Sequence, residues 1–135
     1  MHLNVNKFSR AVSRHFDSYF KPFKLATSYV ELLMVIEEEG EASQKVIAEE
    51  LDLAPSTITR FIDKLDKRGF INKARSGKTM VISIDPKKSE QVRELKEIYY
   101  SAEKDLQNIL SEKYTQTTNK LLQFGVDQIR SDEIK

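Results

Sequence analysis

A chain of 135 residues, 39% hydrophobic and 32% charged, is long enough for one folding unit with a modest core or for an extended helical subunit of a dimer. It has no cysteine, which excludes disulfides, thiolate metal sites and a redox-sensing thiol. The net charge is only +1, but residues 44–88 hold ten basic and six acidic side chains, while 1–43 and 89–135 are each net acidic, the uneven distribution a phosphate-binding face leaves.

The first ten residues, MHLNVNKFSR, lack the apolar run of a signal peptide. No stretch approaches the roughly 20 apolar residues needed to span a bilayer, so a cytoplasmic protein with no membrane partner is expected. The spacing of Phe8, Val12, Phe16, Tyr19 and Phe20 predicts a first helix from Lys7 to Phe20, capped by Asn6 and ended near Pro22. A second helix opens with a capping-box pattern, Ser28-Tyr29-Val30-Glu31, buries Leu32, Leu33, Val35 and Ile36, and stops at Gly40. Glu37-Glu38-Glu39 near its end reads as a solvated face turned away from phosphates.

Ser43 to Gly69 reads as two helices joined by a tight turn. Ser43 caps the first, which buries Val46, Ile47 and Leu51, and Asp52-Leu53-Ala54 forms the turn. The second begins at Pro55 and is closed by Gly69. Its apolar stripe is Ile58, Phe61, Ile62 and Leu65, at i, i+3, i+4 and i+7. Opposite that stripe lie Ser56, Arg60, Asp63 and Lys67, flanked by Thr57, Thr59 and Lys64. Small hydroxyls and an arginine at a helix N-terminus suit the major groove of DNA. Taken alone, an amphipathic helix pair is equally an ordinary helical hairpin.

After Gly69 the period changes to two. Phe70 to Arg75 and Thr79 to Ile84 predict strands around Ser76-Gly77-Lys78, with Lys73, Arg75 and Lys78 clustered at the tip. A helix-turn-helix running into a basic hairpin is a winged helix. Asp85 and Pro86 then start a long helix whose Val92, Leu95, Tyr99, Ala102, Leu106 and Ile109 form a heptad seam. A last helix follows from about Thr115 to Arg130, with Leu121, Leu122, Phe124, Val126 and Ile129 apolar, and Gly125 marking a close contact or a kink.

Leu32 through Leu95 resembles the MarR family of bacterial transcriptional regulators. The resemblance is carried by the helix ending ELLMVIEEEG, by QKVIAEELDLAPSTITRFIDKLDKRGFINK, and by the hairpin leading into a long helix. The Ser–Thr–x–Thr–Arg texture between Ala48 and Lys73 is its most specific part. Family wings often carry an Asp-x-Arg pattern, which this hairpin lacks, and Ile84-Asp85-Pro86-Lys87-Lys88 replaces the usual Leu-Thr-x-x-Gly after it.

The expected architecture is mainly α with a small β-hairpin wing. A winged helix-turn-helix DNA-binding domain covers 28–85, and N- and C-terminal dimerisation helices cover 1–27 and 86–135. The resemblance implies a homodimeric regulator, read here as a repressor, on a pseudo-palindromic site in double-stranded DNA. Ser56, Thr57, Thr59 and Arg60 are assigned to base edges. Lys64, Lys67, Lys73, Arg75 and Lys78 are assigned to phosphates, with the helix start behind Pro55 offering backbone N–H groups. The family also implies release by a small aromatic effector, placed near Phe16, Tyr19, Phe23 and Tyr29, although aromatics at helical spacing more often simply pack. His2 and His15 do not make a metal site, and no cofactor is called for. Without a nucleophile–base arrangement or a phosphate-cradling glycine loop, no catalytic residue is expected. The competing class is a winged helix used for protein–protein contact.

Overall fold

Among residues 1–134, which the computed structural model describes, six helices and three short strands alternate along the chain. They are α1 (His2–Phe20), α2 (Thr27–Glu39), β1 (Ala42–Ser43), α3 (Gln44–Leu51), α4 (Pro55–Lys67), β2 (Ile71–Ser76), β3 (Thr79–Ile84), α5 (Ser89–Leu110) and α6 (Glu112–Glu133). The strands form one antiparallel sheet in the order β1-β3-β2. The architecture is mainly helical with a small wing, as the residue pattern predicts. No helix among the described residues is long and apolar enough to cross a membrane. The chain divides into two compact units, Met1–Tyr100 and Ser101–Lys135.

In the first unit, α1 begins at His2, five residues before the expected start, and Asn6 lies inside it rather than capping it. It ends at Phe20, where Pro22 sits in a single 3-10 turn and Lys24 adopts a left-handed conformation, φ +54°. The cap of α2 differs from the capping box. The residue before the helix is Ala26, which has no side chain to accept a bond. Asp17 of α1 supplies the acceptor instead, its Oδ1 receiving the Thr27 backbone N–H at 2.9 Å and the Thr27 hydroxyl at 2.6 Å. Glu31, the other half of the expected box, accepts from the Tyr99 hydroxyl at 2.9 Å. A carboxylate from a neighbouring helix thus displaces the local cap. Glu37 is likewise not simply solvated, since it accepts from the Lys96 ammonium at 2.9 Å. That contact holds the Lys96 ammonium above the usual lysine range, first through the hydrogen bond and then through the carboxylate charge.

The core gathers one face of each element. Phe20, Val30, Leu32, Leu33 and Ile36 meet Ile47, Ile58, Ile62, Leu65, Phe70, Ile82 and Leu95, all essentially inaccessible to solvent. Ser43 caps α3 as expected, accepting from the Val46 N–H at 3.2 Å. It also belongs to β1, a strand with no sequence signal. Two residues are too few to show a period, and Ala42 and Ser43 are extended because β3 offers Ile82 and Val81 as partners. Asp85 caps a 3-10 turn over Pro86–Lys88, and α5 itself opens at Ser89.

In the second unit, α6 starts at Glu112, three residues before the expected Thr115, because Ser111 accepts from the Tyr114 N–H at 3.1 Å. Its apolar residues are bare: Leu121 is 64% exposed, Phe124 62% and Ile129 58%. A Cβ added at Gly125 meets nothing within 4 Å, so this glycine marks no close contact here.

Asp17→Ala removes both bonds at the start of α2 and is expected to cost about 1 kcal/mol of stability. Ser9→Ala, on the exposed side of α1, serves as the control, and urea denaturation of both variants checks the difference.

Candidate nucleic-acid interface

The orientation of α4 follows from its burial. Ile58, Ile62 and Leu65 have no exposed surface, and Phe61 is half-buried, with its ring stacked on Tyr29 of α2 at 4.3 Å between centroids. With that stripe sealed, the opposite side of the helix faces out. Pro55, Ser56, Thr59, Arg60, Lys64 and Lys67 are exposed, and Thr57 is half-buried. Pro55 occupies the first helical position and the residue before it, Ala54, supplies no side-chain cap. The helix ends with the Gly69 N–H on the Asp66 carbonyl and the Phe70 N–H on the Leu65 carbonyl, both at 3.0 Å. Gly69 takes φ +77°, which this turn requires and which a side chain would strain.

The wing is a tight hairpin. Ser76 pairs with Thr79, leaving a two-residue loop of Gly77 and Lys78, with Gly77 at φ +64° in its first position. Lys73 pairs with Ile82 and Arg75 with Met80, so alternation puts both cations on the same face of the hairpin. Arg75 and Lys78 are exposed.

Several of these side chains already have partners. The Thr59 hydroxyl donates to the Pro55 carbonyl at 3.0 Å and to Gln44 Oε1 at 3.3 Å, linking α4 to α3. The Lys64 ammonium lies 5.0 Å from the Tyr29 ring centre, and the Arg60 guanidinium 5.8 Å from that of Phe61. Lys73 is the most engaged, with its ammonium 3.0 Å from Asp63 Oδ1 and 3.7 Å from Asp66 Oδ2. Arg68, counted among the basic residues of this segment, turns inward. Its guanidinium donates to the carbonyls of Lys24 at 2.7 Å and Phe23 at 2.9 Å, tying the end of α4 to the loop after α1.

The fold also brings forward residues that the residue pattern did not single out. A groove of about 510 Å³ runs between the start of α3 and the wing, lined by Ser43, Gln44, Lys45, Lys73, Lys78 and Thr79. Lys45 is 33 positions from Lys78 in the chain, and only the pairing of β1 with β3 sets them at one groove.

The four aromatics assigned to an effector are not brought together around one cavity. Phe16 lines a cleft of about 200 Å³ with Ser13, Asp17, Ser28, Glu31 and Tyr99, and Tyr19, Phe23 and Tyr29 do not line it. Tyr29 is occupied by its stack on Phe61, Tyr19 packs against the His15 ring at 5.1 Å, and Phe23 is packed against the core. Helical spacing placed these rings on neighbouring turns, but the bend at Pro22 and the separate start of α2 send them to different neighbours.

The MarR family model matches residues 27–78. No curated protein sequence matches the chain. Among solved structures, the fold is similar to the transcriptional repressor CouR bound to a 23-mer DNA duplex, with TM-score 0.84 and 16% identity over 93% of this chain and 92% of that one. It is similar to a mutant of MarR from E. coli complexed with operator DNA, with TM-score 0.81 and 13% identity over 90% of each chain. Ligand-free NadR superposes with TM-score 0.81 and 12% identity, covering all of this chain and 98% of that one. Residues 27–78 thus match the MarR family model, and the fold of the whole chain is similar to those of CouR, MarR and NadR.

Proposed function

We propose that this protein is a transcriptional regulator that binds double-stranded DNA as a homodimer, with α4 in the major groove. The observation that carries this reading is the burial of Ile58, Ile62 and Leu65, which leaves Ser56, Thr59 and Arg60 bare beside a cationic hairpin. Its fold relatives CouR and the MarR mutant are themselves held on DNA. Ser56, Thr57, Thr59 and Arg60 read base edges, and Arg60 pairs bidentately with guanine. Lys64, Lys67, Arg75 and Lys78 hold phosphates, and Lys45 joins them across the groove. The uncapped start of α4 behind Pro55 adds backbone N–H groups to the same surface.

The homodimer is supported by the terminal helices. Leu121, Phe124 and Ile129 on α6 are all more than half exposed, apolar surface that a monomer in water does not keep bare, and Leu3 on α1 is separately exposed as well. A two-fold dimer sets two recognition helices about 34 Å apart, one turn of B-DNA, and so reads a pseudo-palindrome. Such a dimer acts as a repressor where its site overlaps the point at which transcription starts. The division of the chain into a reading domain over 28–85 and dimerisation helices on either side belongs to this proposal.

The cleft beside Phe16 suits a single-ring effector, and the charge of its lining supports an amine. Asp17 and Glu31 are the charged groups on its wall, with no lysine or arginine among the lining residues, so it favours a protonated amine over a carboxylate. A ligand there releases DNA only through a difference in affinity between the two spacings of the recognition helices.

Three measurements test the reading. Arg60→Ala is expected to weaken binding to a selected duplex by about 1–3 kcal/mol while leaving a scrambled duplex much less affected. Lys78→Ala is expected to weaken both equally, and a protein–protein module would show no steep fall with salt for either. Phe124→Glu places a charge on the bare face of α6, and analytical ultracentrifugation is expected to show dissociation to monomers. Phenethylamine is expected to raise the melting temperature and phenylacetate to leave it unchanged; the reverse result removes the acidic-cleft reading.

A further inference from the structure

Lys73 lies on the groove shared by Lys45 and Lys78, where a third phosphate contact would be made. Its ammonium is nevertheless held by Asp63 at 3.0 Å and by Asp66 at 3.7 Å. The two aspartates are three positions apart on α4 and therefore neighbours on one edge of the helix. The register of β2 with β3 sends the Lys73 side chain to that edge. Arg75 and Lys78 form no ion pair among the described residues. One of the wing's three cations is thus compensated inside the domain, and two are left to meet a partner.

We propose that Asp63 and Asp66 set how tightly the protein holds any DNA duplex, by compensating Lys73 and keeping its ammonium off the phosphates. The inference rests on the DNA-binding reading and deepens it. A lysine already paired with a carboxylate displaces no counterion from DNA, so it contributes nothing to the salt-dependent part of affinity. Asp63 also lies on the outward line of α4 with Ser56 and Arg60, where an uncompensated carboxylate would repel the backbone. Two carboxylates against one ammonium leave no positive charge between the recognition helix and the hairpin tip. The sequence-independent grip of the wing is weakened, and the outer cations Arg75 and Lys78 carry it.

The test measures binding of the full chain to a labelled scrambled duplex by fluorescence anisotropy across a salt series. Asp63→Asn with Asp66→Asn frees Lys73 and is expected to tighten binding on the order of tenfold at 0.1 M salt, with the log–log salt slope steeper by about 0.9. Lys73→Met in the double-Asn background is expected to remove the added 0.9 or so. Should the double-Asn variant fail to fold, Asp66→Asn alone, which removes the longer contact, carries the measurement with the same sign. An added slope that survives Lys73→Met in the double-Asn background overturns the inference, and so does a double-Asn variant that folds normally and binds as before. If the unaltered protein shows no salt-dependent binding to any duplex, the DNA-binding reading fails as well, an outcome distinct from the other two.

Discussion

The burial of three aliphatic side chains on α4 constrains everything else in the first unit. Ile58, Ile62 and Leu65 are sealed from solvent, and each contributes roughly 1.5–3 kcal/mol by leaving water. A rotation of the helix by one residue position, about 100°, would expose part of that stripe and drive Arg60 toward the core. The outward line of hydroxyls and arginine is therefore presented by default, with no interaction of its own required to hold it there. The Arg68 fork onto the Phe23 and Lys24 carbonyls then fixes the far end of the helix to the loop after α1.

Charge is spent unevenly around this frame. The segment from 44 to 88 is strongly basic in composition, but composition does not say which cations face out. Arg68 serves backbone carbonyls, and Lys88 lies over the Phe70 ring and against Gln91. Lys73 is compensated by two aspartates. Apart from Lys87, exposed in the turn after β3, the cations left on the surface are Lys45, Arg60, Lys64, Lys67, Arg75 and Lys78. They form a narrower stripe than the count suggests, running from the start of α3 across α4 to the hairpin tip. The groove between α3 and the wing gives that stripe depth, since Lys45 and Lys78 both line it.

The terminal helices show the opposite economy. α6 has no buried residue, and its aliphatic and aromatic side chains stay bare. The first unit needs no such help, because its core closes on residues from α1 through the first turns of α5. A closed core in the first unit together with an α6 that buries no residue is what the proposed homodimer requires of its subunit.

The sequence by itself determined the local elements whose physics is local. Pro55 and Gly69 bound α4 through backbone restrictions, Ser43 caps α3 through its own hydroxyl, and Gly77 makes the hairpin loop through its positive φ. The period-3.6 stripe and the period-2 strand identified which faces are apolar, and with them the winged helix and its outward Ser56–Arg60 line. Only the tertiary structure decided what depends on residues far apart in the chain. Asp17 replaced the capping box of α2, Ala42 and Ser43 became a strand, Lys73 was drawn onto Asp63 and Asp66, Arg68 turned to backbone carbonyls, and Lys45 came to line one groove with Lys78. The aromatic quartet dispersed for the same reason. A capping hydroxyl or a helical stripe acts within one turn of backbone, whereas a salt bridge, a two-residue strand or a cavity wall exists only once another element has been brought alongside.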